Sequence, residues 1–195
     1  MKGSFDSKAG KKGFNPGTLI FVAVIVISVV IVVLKNKRQY EPVVAGKPAI
    51  DFFLVDLDGK LRRLDEFKGK VIFLNFWATW CKPCEDEMPS MQMLHETLKD
   101  RPFEIVAVSV DKDDVSVVKE FVKRHNITFT VLHDRKGKIK DAYKTTGVPE
   151  TFIIDQNGII AEKIWGPRDW TRHENLITIF KLLENGPAPA ESYGS

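Results

Sequence analysis

Trp77-Ala-Thr-Trp-Cys81-Lys-Pro-Cys84 carries the only two cysteines of the 195-residue chain. The stretch follows a nearly continuous apolar run, Val71-Ile-Phe-Leu-Asn-Phe-Trp77, and opens onto a helix-like pattern. Cysteines three apart on a first helical turn can close a small disulfide ring. The unpaired N–H groups and the positive dipole end of that turn favour a thiolate on the first of them. An accessible thiolate of low pKa with a partner in reach is the minimal apparatus for dithiol–disulfide exchange. Other uses of the pair fit less well. A structural zinc site needs about four ligands, and His95, His125, His133 and His173 show no metal-ligand spacing. Covalent haem attachment needs a histidine after the second cysteine, where Glu85 stands. A purely structural disulfide is the plainest alternative, but a short loop gains little from closure.

The residues around this stretch alternate strand and helix signals. Phe52–Asp56 and Lys60–Leu64 flank Asp58-Gly59, a hairpin signature. Val71–Trp77 reads as a central strand covered on both faces. A helix is predicted from Lys82 to Leu98, with Pro83 tolerated in its first turn and Pro89 kinking its interior. Ile105–Val110 reads as a second buried strand, and Val115–Arg124 and Trp170–Leu183 as amphipathic helices. Thr151–Asp155 and Ile159–Trp165 flank Gln156-Asn157-Gly158 as a second hairpin. Trp77 reads as core, Trp80 as a shield for Cys81 with a flat contact surface, and Trp165 and Trp170 as packing residues of the last strand and helix.

The N-terminus has another character. Residues 1–40 hold seven Lys/Arg against one acid, leaving a mildly acidic remainder of 22 basic and 25 acidic residues. No basic patch suggests a nucleic-acid partner. Nothing from Gly13 to Leu34 is charged. Residues 18–34, as a helix, would rise about 25 Å, just under the ~30 Å hydrocarbon core, and Lys35 and Lys37 can snorkel. A cleaved signal peptide has a shorter apolar core and small residues after it; here Lys35-Asn-Lys-Arg38 follows. A buried soluble helix would show a polar face. The expected organisation is a basic cytoplasmic segment 1–17, a signal-anchor span 18–34, a linker 35–46, a catalytic domain 47–184 and a disordered tail 185–195. Basic residues lie on both sides of the span, so charge does not orient it. The extracytoplasmic side is preferred because disulfides persist there.

The domain resembles the thioredoxin superfamily and, within it, the membrane-anchored TlpA/ResA/CcmG group. The resemblance covers about residues 47–184. It rests on the Asp58-Gly59 hairpin before Val71–Phe76, on Trp77–Cys84, on Cys84-Glu-Asp-Glu-Met-Pro89, on Gly147-Val-Pro149-Glu-Thr-Phe152 and on Asp155-Gln-Asn-Gly158, in that order. It implies an α/β thioredoxin fold: a mixed central sheet, helices on both faces and an N-terminal β-hairpin, to which the transmembrane helix is added. It also implies Cys81 as nucleophile, Cys84 as resolving thiol and Pro149 in the cis form, with Trp80, Val148 and Glu150 meeting the substrate. Where thioredoxin has a buried aspartate, this chain has Asn75, whose amide cannot shuttle a proton. Glu87, one turn beyond Cys84, fits the group's substitute acid, and Glu150 fits the CcmG pattern; the plain alternative makes both solvated surface residues. No cofactor or metal is implied. The implied partners are apocytochrome c or another disulfide-bearing protein, and a membrane-embedded electron donor. Two other classes remain: a thiol peroxidase, against which Ala78 and Leu74 stand where threonine and proline would be needed, and a non-catalytic anchored binding domain, against which the intact Cys-x-x-Cys stands.

Overall fold

The computed structural model describes residues 16–39 and 43–187. The expected N-terminal segment up to residue 15, part of the linker (40–42) and the tail from 188 lie outside the described residues. The chain divides into two compact units, before and after the Pro42–Val43 junction.

In the first unit, α1 spans Pro16–Gln39. It continues five residues past Leu34, into the expected linker, because Lys35-Asn-Lys-Arg-Gln39 contains no glycine or proline to stop it. The described side chains of residues 20–31 are exposed. Among the described residues, no helix is long and apolar enough to cross a membrane.

The second unit begins packing at Val43, earlier than residue 47. Val43 is buried, and Gly46 N–H donates to the Ile160 carbonyl at 2.8 Å. A small antiparallel hairpin follows, β1 (Phe53–Val55) with β2 (Leu61–Arg63). Asp56 Oδ1 closes its turn by accepting the Asp58 and Lys60 N–H groups, and Gly59 supplies the positive φ of 85° that the turn requires. Then come β3 (Val71–Trp77), α2 (Lys82–Leu98), β4 (Phe103–Ser109), α3 (Val115–Arg124), β5 (Thr130–His133), α4 (Lys138–Ala142), β6 (Glu150–Ile154), β7 (Ile160–Trp165) and α5 (His173–Asn185). The sheet order is β5-β4-β3-β6-β7. Strands β3, β4 and β5 are parallel, and β6 and β7 join antiparallel.

Every residue of β3 is buried. Because side chains alternate along a strand, Phe73, Asn75 and Trp77 face one side and Ile72, Leu74 and Phe76 the other. The first side meets Trp170, edge-on to Phe73 at 4.6 Å, and Phe121 of α3, 4.9 Å from Trp77. The second side meets Tyr143, just after α4, at 5.3 Å from Phe76. The sheet is therefore covered on both faces. Each such aromatic pair contributes about 0.5–1.5 kcal/mol beyond its buried area.

Two elements escape the sequence patterns. Strand β5 has only four residues. Helix α4 is started by Asp134, whose carboxylate collects the N–H groups of Lys138, Ile139 and Lys140. The last helix starts at His173 rather than Trp170, because Asp169 captures the Thr171 N–H and hydroxyl in a turn ahead of it. Trp170 is buried in that approach, whereas Trp165, expected to pack, is 58% exposed.

Candidate active site

The central strand β3 delivers the chain to Thr79, and α2 takes it up at Lys82. Thr79 is fastened between them by Asp111, a fully buried residue just past β4. The Asp111 carboxylate accepts the Thr79 N–H at 3.0 Å, the Thr79 hydroxyl at 2.7 Å and the Ser109 hydroxyl at 2.7 Å. Sequence reasoning did not single out Asp111; its only local signal is an acid directly after an apolar strand.

Cys81 is the N-cap of α2, and its Sγ accepts the Cys84 N–H at 3.2 Å. The two sulfurs form a disulfide with the Cα atoms 5.2 Å apart. Cys84 is fully buried. Cys81, expected to be exposed, is only 6% exposed in this oxidised form. Its sulfur is bonded to Cys84 and lies 3.5 Å from the Val148 carbonyl oxygen. The Val148–Pro149 peptide is cis. Trp80, next to Cys81, is 67% exposed. The first-turn cation is already engaged, since Lys82 Nζ lies 2.8 Å from Asp86 and 3.3 Å from Glu85.

Glu87 lies one turn beyond Cys84 and is not a solvated helix residue; it is 3% exposed. Its Oε1 accepts the Asn75 amide at 3.1 Å, and its Oε2 accepts the Arg168 backbone N–H at 3.2 Å. Asn75 also donates to the Thr151 hydroxyl at 2.9 Å, its directly paired residue on β6. Burial pushes the Glu87 carboxyl up to about 7; the neighbouring Trp170 indole, the Arg168 N–H and the Asn75 amide pull the other way without overcoming it. The Trp170 Nε1 makes no hydrogen bond of standard geometry among the described residues. Glu87, Ser90, Met93, Pro167 and Arg168 line an open cleft of about 500 Å³.

Glu150 sits differently. It was expected to meet substrate, with a solvated loop as the alternative; it is neither in a loop nor solvated. It is the first residue of β6 and fully buried. The alternation of the strand places it, with Phe76, on the face opposite Asn75 and Thr151. Lys163 Nζ lies 3.1 Å from its Oε1. The angle is not that of a hydrogen bond, and Oε2 has no hydrogen-bond partner among the described residues.

The assembly is thus a disulfide at a helix N-terminus, a cis-proline loop against its outer sulfur, and a buried carboxyl near neutrality one turn further along the helix. Such a group of residues can exchange two thiols for a disulfide and manage the accompanying protons.

Comparison with known proteins agrees. The model of the AhpC/TSA family matches residues 45–163. The chain is 44% identical over 132 residues to the thiol-disulfide oxidoreductase ResA of Bacillus thuringiensis subsp. konkukian, across 68% of this chain and 76% of that one. It is 39% identical over 171 residues to ResA of Oceanobacillus iheyensis, across 86% of this chain and 87% of that one. That is more than residues 43–195 alone can supply, so the likeness enters the N-terminal unit. Among solved structures it is similar to a thiol:disulfide interchange protein of the thioredoxin family from Chlorobium tepidum, with 31% identity and a TM-score of 0.61 over 68% of this chain and 94% of that one. It is also similar to StoA from Bacillus subtilis, with 27% identity and a TM-score of 0.55 over 65% and 99% of the two chains.

Proposed function

The chain belongs to the AhpC/TSA family and is a thiol–disulfide oxidoreductase of the Cys-x-x-Cys type, and from that premise we propose a membrane-tethered, extracytoplasmic reductant of protein disulfides. One observation carries the chemistry: the Cys81–Cys84 disulfide caps α2 with Glu87 buried one turn behind it. In the reduced form the Cys81 thiolate attacks one sulfur of a substrate disulfide, and the other substrate sulfur leaves as a thiolate. Glu87 takes the Cys84 proton, directly or through one water. Cys84 then attacks the Cys81 sulfur, releasing the second substrate thiolate and leaving the Cys81–Cys84 disulfide. Two electrons pass to the substrate, which ends as two thiols after protonation. A dithiol donor on the same side of the membrane returns the chain to its reduced form. Val148 and Trp80 supply the contact surface, with Val148, ahead of the cis Pro149, offering its backbone to an extended substrate strand.

The reducing direction is supported by the acidic start of α2. Glu85 and Asp86, which the single Lys82 offsets only in part, oppose a thiolate at Cys81, whereas strong oxidants of this fold stabilise it heavily. The tether is supported by the uncharged stretch Gly13–Leu34, by the helical conformation of Pro16–Gln39 and by the relative that aligns into the N-terminal unit. The substrate class is a disulfide-bearing protein, apocytochrome c among those the family resemblance suggests. A peroxidase reading is disfavoured because Ala78 and Leu74, both fully buried, stand where that chemistry would need a threonine and a proline.

Cys84→Ser should trap mixed disulfides with substrate and Cys81→Ser should not; the reverse pattern would overturn the roles. The full chain should reduce insulin and consume no peroxide. A membrane-impermeant thiol label on intact cells should reach reduced Cys81, and labelling only after lysis would reject the extracytoplasmic placement.

A further inference from the structure

We propose that Trp165 is a substrate-contact residue, held by the buried Lys163–Glu150 pair, that receives an aromatic or aliphatic side chain flanking the cysteine under attack. This rests on the disulfide-exchange reading above and adds a specificity element to it.

Position comes first. Trp165 ends β7, the edge strand of the sheet, and is 58% exposed. In the ladder it is paired with Glu150. The next residue, Gly166, donates its N–H to the Pro149 carbonyl at 3.0 Å. Pro149 follows Val148, whose carbonyl oxygen lies 3.5 Å from Cys81 Sγ. The indole therefore stands one strand beyond the loop that touches the reactive sulfur. Neighbouring strands lie about 4.8 Å apart and an extended residue spans about 3.3 Å, so a side chain two or three residues from the attacked cysteine reaches it.

The second observation is how the ring is held. Lys163 Nζ lies 5.1 Å from the Trp165 ring centre, 5.0 Å from that of Phe152 and 3.1 Å from Glu150 Oε1. The Lys163 side chain is 10% exposed and that of Glu150 not at all. Buried ion pairs of this kind seldom add net stability over apolar groups of the same volume. A positioning role accounts for this one: the ammonium holds the indole through a cation–π contact, and Glu150 holds the ammonium. The held ring still presents open surface to solvent. Lys163 already serves as the cation against the ring, and the groove that Trp165 lines carries Arg168 together with Glu162 and Glu174, so its charges balance and select no charged partner. An uncharged apolar or aromatic side chain is the occupant that fits.

Two peptides with the same disulfide ring, one carrying Phe and the other Gly two residues from the attacked cysteine, provide the test on the full chain. The wild type should react about tenfold faster with the Phe peptide, a ratio in keeping with one aromatic contact and its buried area. Trp165→Ala should bring the ratio close to one. The double variant Glu150→Gln/Lys163→Met leaves no buried charge unpaired and should lower the ratio severalfold. A ratio unchanged in Trp165→Ala, or an equal slowing of both peptides, would overturn the contact. A ratio unchanged in the double variant would overturn the clamp. The ratio is also read in reverse, from the oxidised chain with the dithiol peptides, so a missing reductase activity would reject the proposed direction while the contact is still decided.

Discussion

Glu87 and Glu150 are both buried beside the disulfide loop, yet they occupy opposite faces of one sheet and are housed by different means. Glu87 is met by neutral donors, the Asn75 amide and the Arg168 N–H, and opens on a cleft. Glu150 is met by the Lys163 ammonium and lies sealed under β6 and β7. A carboxyl among neutral donors, raised to about 7 by burial and set in the lining of a cleft, is suited to take up and release a proton during exchange. A carboxylate against the Lys163 ammonium serves as its counter-charge. On the proposed function the same residue type is reagent in one place and scaffold in the other: desolvation dominates at Glu87, where the charge of Arg168 is the weakest influence, and an ammonium stands directly against Glu150.

The comparison breaks most visibly if the cation is removed. Lys163→Ala should destabilise the domain by about 3–5 kcal/mol, because it leaves the Glu150 charge buried and uncompensated. Glu150→Gln/Lys163→Met, which removes both charges, should fall within about 1.5 kcal/mol of wild type. Denaturant midpoints of both variants against wild type measure this. Equal losses would mean that the charge on Glu150 is not what Lys163 serves.

Glu87 should show itself through pH rather than through a fixed loss. Below the ordinary carboxyl value of 4.5, folded and unfolded states both hold its proton. Between 4.5 and about 7 the unfolded chain releases the proton while the folded chain keeps it, so stability declines as pH rises. Above about 7 both states are ionised and the penalty stays constant. Relative to Glu87→Gln, wild type should therefore lose on the order of 3 kcal/mol across that window. Parallel stability curves for the two proteins would remove Glu87 from the role of titrating group.

The same substitution should slow resolution of the mixed disulfide by about a hundredfold near neutral pH, the lower range for loss of a positioned base. Stopped-flow release of the second substrate thiol reads this step directly. The smallest effect belongs to Trp165→Ala, where the change in stability should stay within about 0.5 kcal/mol because the ring is mostly in solvent. A large loss there would return Trp165 to a packing role.

Legibility in the sequence followed the range of the forces involved. Helices α2 and α3 match the predicted bounds because their starts are set locally. Cys81 caps the first, and Asp114 caps the second by accepting the Ser116 N–H at 3.0 Å. The Asp58-Gly59 turn and the Cys-x-x-Cys ring are local in the same sense. Strand β5 is too short to show a period, and α4 begins on the side chain of Asp134, four residues before it.

The fate of individual side chains was decided at longer range. Trp165 and Trp170 are five positions apart with similar apparent roles, but one faces solvent and the other meets Phe73, nearly a hundred residues earlier in the chain. Glu87 was legible as a candidate from its place one turn after Cys84. That it is buried, and held near neutrality, depends on an N–H donated by Arg168, 81 residues away, and on an asparagine from the central strand. Glu150 reads as a loop acid until β7 folds back and lays Lys163 against it. Capping, periodicity and turn chemistry act within a few residues, and the sequence by itself determines them. Burial and the charge beside a buried group come from distant segments that meet only in the folded domain, so the tertiary structure alone decided that Glu87 meets the Asn75 amide and the Arg168 N–H while Glu150 meets the Lys163 ammonium.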